Sequence, residues 1–149
     1  MTKQLHKQAQ NTFVLQQDSS DCGVACLRSL IRYYGGDASL ERLRELSGTT
    51  PQGTTLLGLY QAGPSLDLET EGCDADIAAL IEHNQPTILH VQMEGNLEHY
   101  VVWYGPQEQK NDKYQTAKCK SVKIAGSAIF MVLRVPWNDS SYGSINRIL

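Results

Sequence analysis

A change of hydrophobic period near residue 86 is what most constrains the fold of this 149-residue chain. Up to His83 the apolar residues recur at three- and four-residue steps, the spacing of one helical face. From Pro86 onward they give way to short, continuous apolar and β-branched runs, the pattern of strands. Helices first and strands afterwards specify an α+β layer fold, with an N-terminal helical part packed on a C-terminal antiparallel sheet, rather than βαβ alternation.

Helix boundaries follow from capping chemistry. Cys22, Ala25, Cys26, Ser29, Leu30 and Tyr33 share one face, Gly35-Gly36 ends that helix, and Asp18, Ser19, Ser20 and Asp21 all qualify as its cap. Ser39 caps a second helix over residues 40–46, closed by Gly48, and Thr54 or Thr55 caps a third over 56–62, closed by Gly63. Asp74 is the expected cap of a fourth over 75–83. Strands are expected at 87–91, 99–104, 114–117 and 129–135, with a short extended piece at 13–15. Residues 1–12 are polar and read as a mobile lead-in to one domain that covers residues 1–149.

Composition removes whole classes of function. A net charge of −3, with no cluster of lysine or arginine, leaves no electrostatic footprint for nucleic acid. No apolar run reaches the length of a membrane span, and the polar N-terminus lacks the pattern of a secretory signal, so the chain reads as soluble. Cys22, Cys26, Cys73 and Cys119 are then expected as free thiols. Their spacing matches no zinc or redox motif, no histidine pair sits at ligand spacing, and no metal or other cofactor is expected.

Among these thiols Cys22 stands out. It opens a helix, where unpaired backbone N–H groups and the positive end of the helix dipole favour the thiolate, the form that attacks carbonyls. Such a nucleophile needs a base, and histidine suits that task at neutral pH. His6 lies in the polar terminus, His83 at a helix end and His90 within an apolar strand; His99 begins a strand just after a loop, where a sheet aims a side chain at a cleft. An oxyanion would receive the Cys22 backbone N–H and a side-chain amide, with Gln16 and Gln17 both near enough in sequence.

The run Gln16-x-Asp18-x-x-Asp21-Cys22-Gly23, with Ala25-Cys26-Leu27 and Tyr33-Tyr34-Gly35, resembles the cysteine motif of the N-terminal peptidase domain of bacteriocin-processing ABC transporters. Ser39-Leu40-x-x-Leu43-Arg44, Gly48-Thr49, Gly53-Thr54-Thr55-Leu56-Leu57-Gly58-Leu59 and His99-Tyr100-Val101-Val102 follow in the same order, so the resemblance covers about residues 13–105. It implies a papain-like cysteine protease fold and a thiol peptidase that removes a double-glycine leader from a precursor peptide. The expected partners are that precursor and the transmembrane and ATP-binding parts of an ABC transporter, at the cytoplasmic face of the bacterial membrane. By position in the motif, Cys22 would be nucleophile, His99 general base and acid, and Gln16 the oxyanion donor.

The family's histidine-orienting aspartate has no counterpart after His99, where Tyr114-Gln115-Thr116-Ala117 runs into Lys118-Cys119. Asp112 is the nearest carboxylate, in the turn before that strand, and residues 118–149 match the family poorly. A histidine without its orienting carboxylate loses orders of magnitude in rate. Two alternatives therefore stand beside the protease: a non-catalytic module that captures a leader peptide, and another papain-like thiol amidase or transferase.

Overall fold

The computed structural model describes residues 2–75, 77–83, 85–93, 97–105 and 128–134, with side chains left undescribed at 2–6, 73–77, 92–97 and 128–134. Among the described residues five helices, α1 (Thr2–Thr12), α2 (Cys22–Tyr33), α3 (Leu40–Ser47), α4 (Leu56–Ala62) and α5 (Ile77–His83), accompany four strands. These are β1 (Glu69–Ala75), β2 (Thr87–Met93), β3 (Leu97–Trp103) and β4 (Ala128–Arg134), and a short 3-10 turn at Pro64–Leu66 follows α4. The strands form one antiparallel sheet in the order β1-β4-β2-β3. The architecture is α+β, as the change of period requires.

Local chemistry explains the helix ends. Ser39 Oγ accepts from the Arg42 N–H at 3.2 Å, and Gly48 leaves α3 at φ +63°, a left-handed turn that glycine adopts without penalty. Thr55, rather than Thr54, caps α4, accepting from the Gly58 N–H at 3.0 Å. Thr54 turns inward instead, and its hydroxyl joins Thr49 at 2.7 Å and, through it, Ser47 at 2.9 Å. Gly35, at φ +92°, ends α2, and the Gly36 N–H reaches back to the Ile31 carbonyl at 3.0 Å.

α2 is the hub of the core. Leu27, Leu30 and Ile31 are fully buried, and they meet Leu43 of α3, Leu59 of α4, and Ile88, Tyr100 and Val102 of the sheet. Each such aliphatic side chain contributes about 1.5–3 kcal/mol on leaving water. Two close approaches depend on glycine: a Cβ on Gly58 would overlap the Ser47 carbonyl oxygen where α4 meets α3, and one on Gly63 would overlap the Thr70 side chain of β1.

Three features depart from the sequence reading. Residues 2–12, expected as a lead-in without structure, form α1, and the Gln8 side-chain amide donates to the Tyr33 carbonyl at 2.7 Å, satisfying an orphan acceptor at the end of α2. Residues 69–75, of which the sequence assigns only Asp74 and Ala75, as helix cap and helix start, form β1, because pairing with β4 along its whole length outweighs a polar, glycine-containing sequence with poor strand propensity. Asp74 and Ala75 are consequently held opposite Ile129 and Ala128, so α5 begins at Ile77 and Asp74 does not cap it. The expected strand at 114–117 and Asp112 lie outside the described residues.

Candidate active site

Cys22 is the first residue of α2, partly exposed and packed against the rim of the hydrophobic core. Cys26, one turn further in, is buried. The thiol at the helix start therefore faces both solvent and the positive end of the helix.

The turn that delivers Cys22 is built around Asp21. Of the four candidate caps, Asp21 holds the cap position, yet its carboxylate makes no capping bond to the helix. It is fully buried, and Arg44 of α3 grips it through two bonds, Nε to Oδ1 at 2.9 Å and Nη2 to Oδ2 at 2.6 Å. The Asp18 backbone N–H donates to Oδ2 as well, at 3.0 Å, and the Asp21 N–H closes the turn on the Asp18 carbonyl at 3.1 Å. The Arg44 guanidinium, helped by these backbone donors and opposed by burial, holds the Asp21 carboxyl below its ordinary range.

Gln16 belongs to the same turn. Its amide nitrogen donates to the Asp18 carbonyl at 3.0 Å on the exposed side of the loop. An amide nitrogen carries two hydrogens, so this bond fixes the side chain and leaves one N–H for an oxyanion. Gln17 is exposed too, and its backbone contributes to holding Asp21 ionised.

β3 approaches the start of α2 at Gly23. A Cβ there would stand 3.3 Å from Tyr100 Cδ2, 3.3 Å from Leu59 Cδ1 and 3.2 Å from Thr54 Cβ, so the missing side chain is what lets the Tyr100 ring reach the helix. Burial pushes the Tyr100 hydroxyl up to about 12, with the neighbouring Cys22, Glu98 and Cys26 adding to the effect. His99 precedes Tyr100 as Cys22 precedes Gly23. It is partly buried, and loss of solvent lowers its imidazole below the ordinary 6.5, which favours the neutral form of a base at pH 7. By alternation His99 shares its side of β3 with Val101 and Trp103, whereas Tyr100 and Val102 face α2. No hydrogen bond joins Cys22 to His99 among the described residues; catalytic pairs commonly tighten only when substrate is bound.

The other histidines fall elsewhere. His83 ends α5. His90 lies opposite Tyr100 in the ladder, stacks on its ring with centroids 4.7 Å apart, and has Glu98 Oε2 3.6 Å from its Nε2. Among the described residues, no group of three or more histidine, cysteine, aspartate or glutamate side chains could hold a metal ion. Residues 10–118 match the model of the Peptidase C39 family.

The chain is a member of the Peptidase C39 family.

Relatives agree with that placement. The pediocin PA-1 transport/processing ATP-binding protein PedD of Pediococcus acidilactici is 42% identical over 102 residues, covering 67% of this chain and 14% of its own length. The transport/processing ATP-binding protein ComA of Streptococcus pneumoniae is 42% identical over 92 residues, covering 60% of this chain and 13% of its own. This C39 chain thus spans only a small part of the curated relatives it matches. The crystal structure of the peptidase domain of Streptococcus ComA superposes with a TM-score of 0.63 at 36% identity, covering 79% of this chain and 95% of that one. A double-glycine motif protease from an AMS/PCAT transporter, solved with its leader peptide, gives a TM-score of 0.63 at 23% identity and shows the shared papain-like fold.

Two parts of this C39 domain escaped the sequence reading. The sequence reads Asp21 as a candidate helix cap and as part of the cysteine motif, and Arg44 as part of a matching motif, without joining the two; an aspartate beside the cysteine and an arginine on a helix otherwise rich in exposed charge are the available signals. The role of Tyr100 against Gly23 had no local signal, since nothing in either segment reports the distance between them.

Proposed function

We propose that this C39 domain is a cysteine endopeptidase that cleaves the leader peptide from bacteriocin-type precursors after a Gly-Gly pair, and that it works as the peptidase part of an ABC exporter at the cytoplasmic face of the membrane. The observation that carries this reading is a partly exposed cysteine opening α2, inside a chain matched to a peptidase family over residues 10–118. The names of PedD and ComA, which join transport and processing to ATP binding, supply the partner class: transmembrane and ATP-binding parts carried by the same protein or by another chain.

In this reading neutral His99 takes the proton of the Cys22 thiol, becoming the imidazolium, and the resulting thiolate attacks the carbonyl of the second glycine. A C–S bond forms, and the carbonyl π electrons move to oxygen. The oxyanion receives the Cys22 backbone N–H and the free N–H of Gln16. The imidazolium of His99 gives its proton to the leaving nitrogen as the C–N bond breaks, and the mature peptide departs with a new amino terminus. Neutral His99 then takes a proton from water, whose oxygen attacks the thioester; collapse releases the leader with a free carboxylate and restores the thiolate. Glycine specificity would follow from a cleft narrowed over the thiol, which excludes any Cβ by volume.

The carboxylate that orients His99 is open, and Asp112 is the candidate in this segment of the chain. Incubation of the domain with a synthetic precursor, read by mass spectrometry, tests the reading. Cleavage after Gly-Gly that disappears in Cys22→Ala is expected. An intact precursor, under conditions where iodoacetamide labels Cys22, would remove the protease and leave the leader-binding module.

A further inference from the structure

Arg44 reaches Asp21 across 23 residues of sequence, and its two bonds match both oxygens of a carboxylate that is wholly buried. A buried carboxylate one residue before a nucleophilic thiol is an odd choice for a peptidase. Unpaired, it would place a negative charge beside the group that must itself become negative, and it would carry the full desolvation penalty of an isolated ion. Helix capping does not explain it, because the carboxylate makes no bond to α2. What it does bond is Arg44 and the Asp18 N–H, and Asp18 in turn offers its carbonyl to the Gln16 amide.

These bonds form a continuous chain: Arg44 guanidinium, Asp21 carboxylate, Asp18 peptide, Gln16 amide. Its two ends are a helix buried in the core through Leu40 and Leu43 and the side chain offered to the oxyanion. Asp18 Oδ2 lies 4.0 Å from Arg44 Nη2, and Glu41 sits one turn before Arg44, so the guanidinium is surrounded by acceptors and has one dominant partner.

We propose that Arg44 is a positioning residue for the reaction: through Asp21 it sets the turn that carries both Gln16 and Cys22, and it cancels the negative charge adjoining the thiol. The proposal rests on the roles of Cys22 and Gln16 given above. Arg44 touches neither the substrate nor the thiol, and acts entirely through Asp21. The bidentate geometry makes arginine the required residue, since lysine supplies a point charge with one good bond.

The test compares wild type with Arg44→Met, Arg44→Lys and the double variant Arg44→Met/Asp21→Asn, using cleavage of a double-glycine precursor and the rate of Cys22 alkylation by iodoacetamide at pH 7. Arg44→Met is expected to lower kcat about tenfold or more with KM little changed, because turn geometry and not substrate affinity is lost. Its alkylation rate falls about tenfold, from the uncompensated carboxylate beside the thiol, and the double variant recovers most of that loss by removing the charge. Arg44→Lys falls between wild type and Arg44→Met in both assays.

Wild-type kcat in Arg44→Met, or an alkylation rate in the double variant no better than in Arg44→Met, overturns the proposal. If Arg44→Met does not fold, the comparison of Arg44→Lys and the double variant with wild type decides in its place. The alkylation arm needs no substrate. Failure of the wild type to cleave would thus count against the protease reading alone, and the alkylation series would still judge Arg44.

Discussion

The ring of Tyr100 occupies the space that any side chain on Gly23 would claim, with Cδ2 3.3 Å from the position of a Cβ there. One residue earlier on each element stand the two groups assigned to the chemistry, Cys22 on α2 and His99 on β3. The spacing of the two elements that carry the proposed nucleophile and base is therefore governed by a contact that neither residue makes.

Gly23→Ala should disturb that spacing. A methyl group would press on Thr54, Leu59 and Tyr100 together at 3.2–3.3 Å, so each must yield by a few tenths of an ångström. Overpacking of this kind costs about 1–3 kcal/mol, or about 2–10 °C in Tm for a chain of this size. The expected signature is a loss of kcat larger than the Tm loss accounts for, read by calorimetry and peptide cleavage on one preparation. Unchanged kcat alongside a lowered Tm would show that the Tyr100 contact serves stability alone.

Gly58→Ala should be worse for folding than Gly23→Ala. A Cβ at Gly58 overlaps the Ser47 backbone oxygen, and backbone cannot rotate away as a side chain does. Separation of α3 from α4 would also break the hydroxyl chain of Ser47, Thr49 and Thr54. Denaturant titration should show a midpoint lower than that of Gly23→Ala, and equal midpoints would sink the ranking.

Acid should expose the stability held in Asp21. Its folded-state carboxyl lies below the ordinary 3.8, so its contribution is complete above that value and is lost as pH falls through the folded one. Unfolding free energy measured from pH 6 down to about pH 3 should decline more steeply in wild type than in Asp21→Asn, which has no such proton to bind. Parallel curves would mean that the pair is already broken in the native state.

His99 is shifted downward too, but by burial, which favours its uncharged form. Burial lowers its imidazole below 6.5, so the neutral base persists to lower pH than a free histidine would. The acid limb of kcat/KM for precursor cleavage should have its midpoint below 6.5 and should vanish with the activity in His99→Ala. His90→Ala is the informative control, since His90 stacks on Tyr100 and pairs with Glu98 on the side of the sheet that faces α2. If the limb moves in His90→Ala, its assignment to His99 falls.

Cys22 should react with iodoacetamide faster than Cys26 at neutral pH, with peptide mapping to separate the sites. Cys22 is partly exposed at the helix start, whereas Cys26 is buried one turn deeper. Equal labelling would mean that the first turn of α2 opens freely in solution.

Elements whose signal is local were legible in the sequence. Ser39, Gly48 and Gly35 announce the ends of α2 and α3 because caps and left-handed turns depend on single residue types. β2, β3 and β4 announce themselves by apolar runs. β1 does not, since Glu69-Thr70-Glu71-Gly72 becomes a strand only through a partner some sixty residues away. The site divides along the same line: Cys22 is readable from its helix start and motif, while the Arg44–Asp21 grip and the Tyr100 contact with Gly23 are products of tertiary approach.

The position of β4 has a consequence for how the molecule is made. Its seven residues, Ala128–Arg134, lie between β1 and β2, so the last of the described strands occupies the interior of the sheet. While the chain leaves the ribosome, β2 and β3 meet as a hairpin, but among the described strands β1 has no partner until β4 has emerged. Closure of the sheet thus waits for β4, and a nascent chain stopped at the end of the 10–118 family match would hold the cysteine helix and the histidine strand with β1 still without its β4 partner.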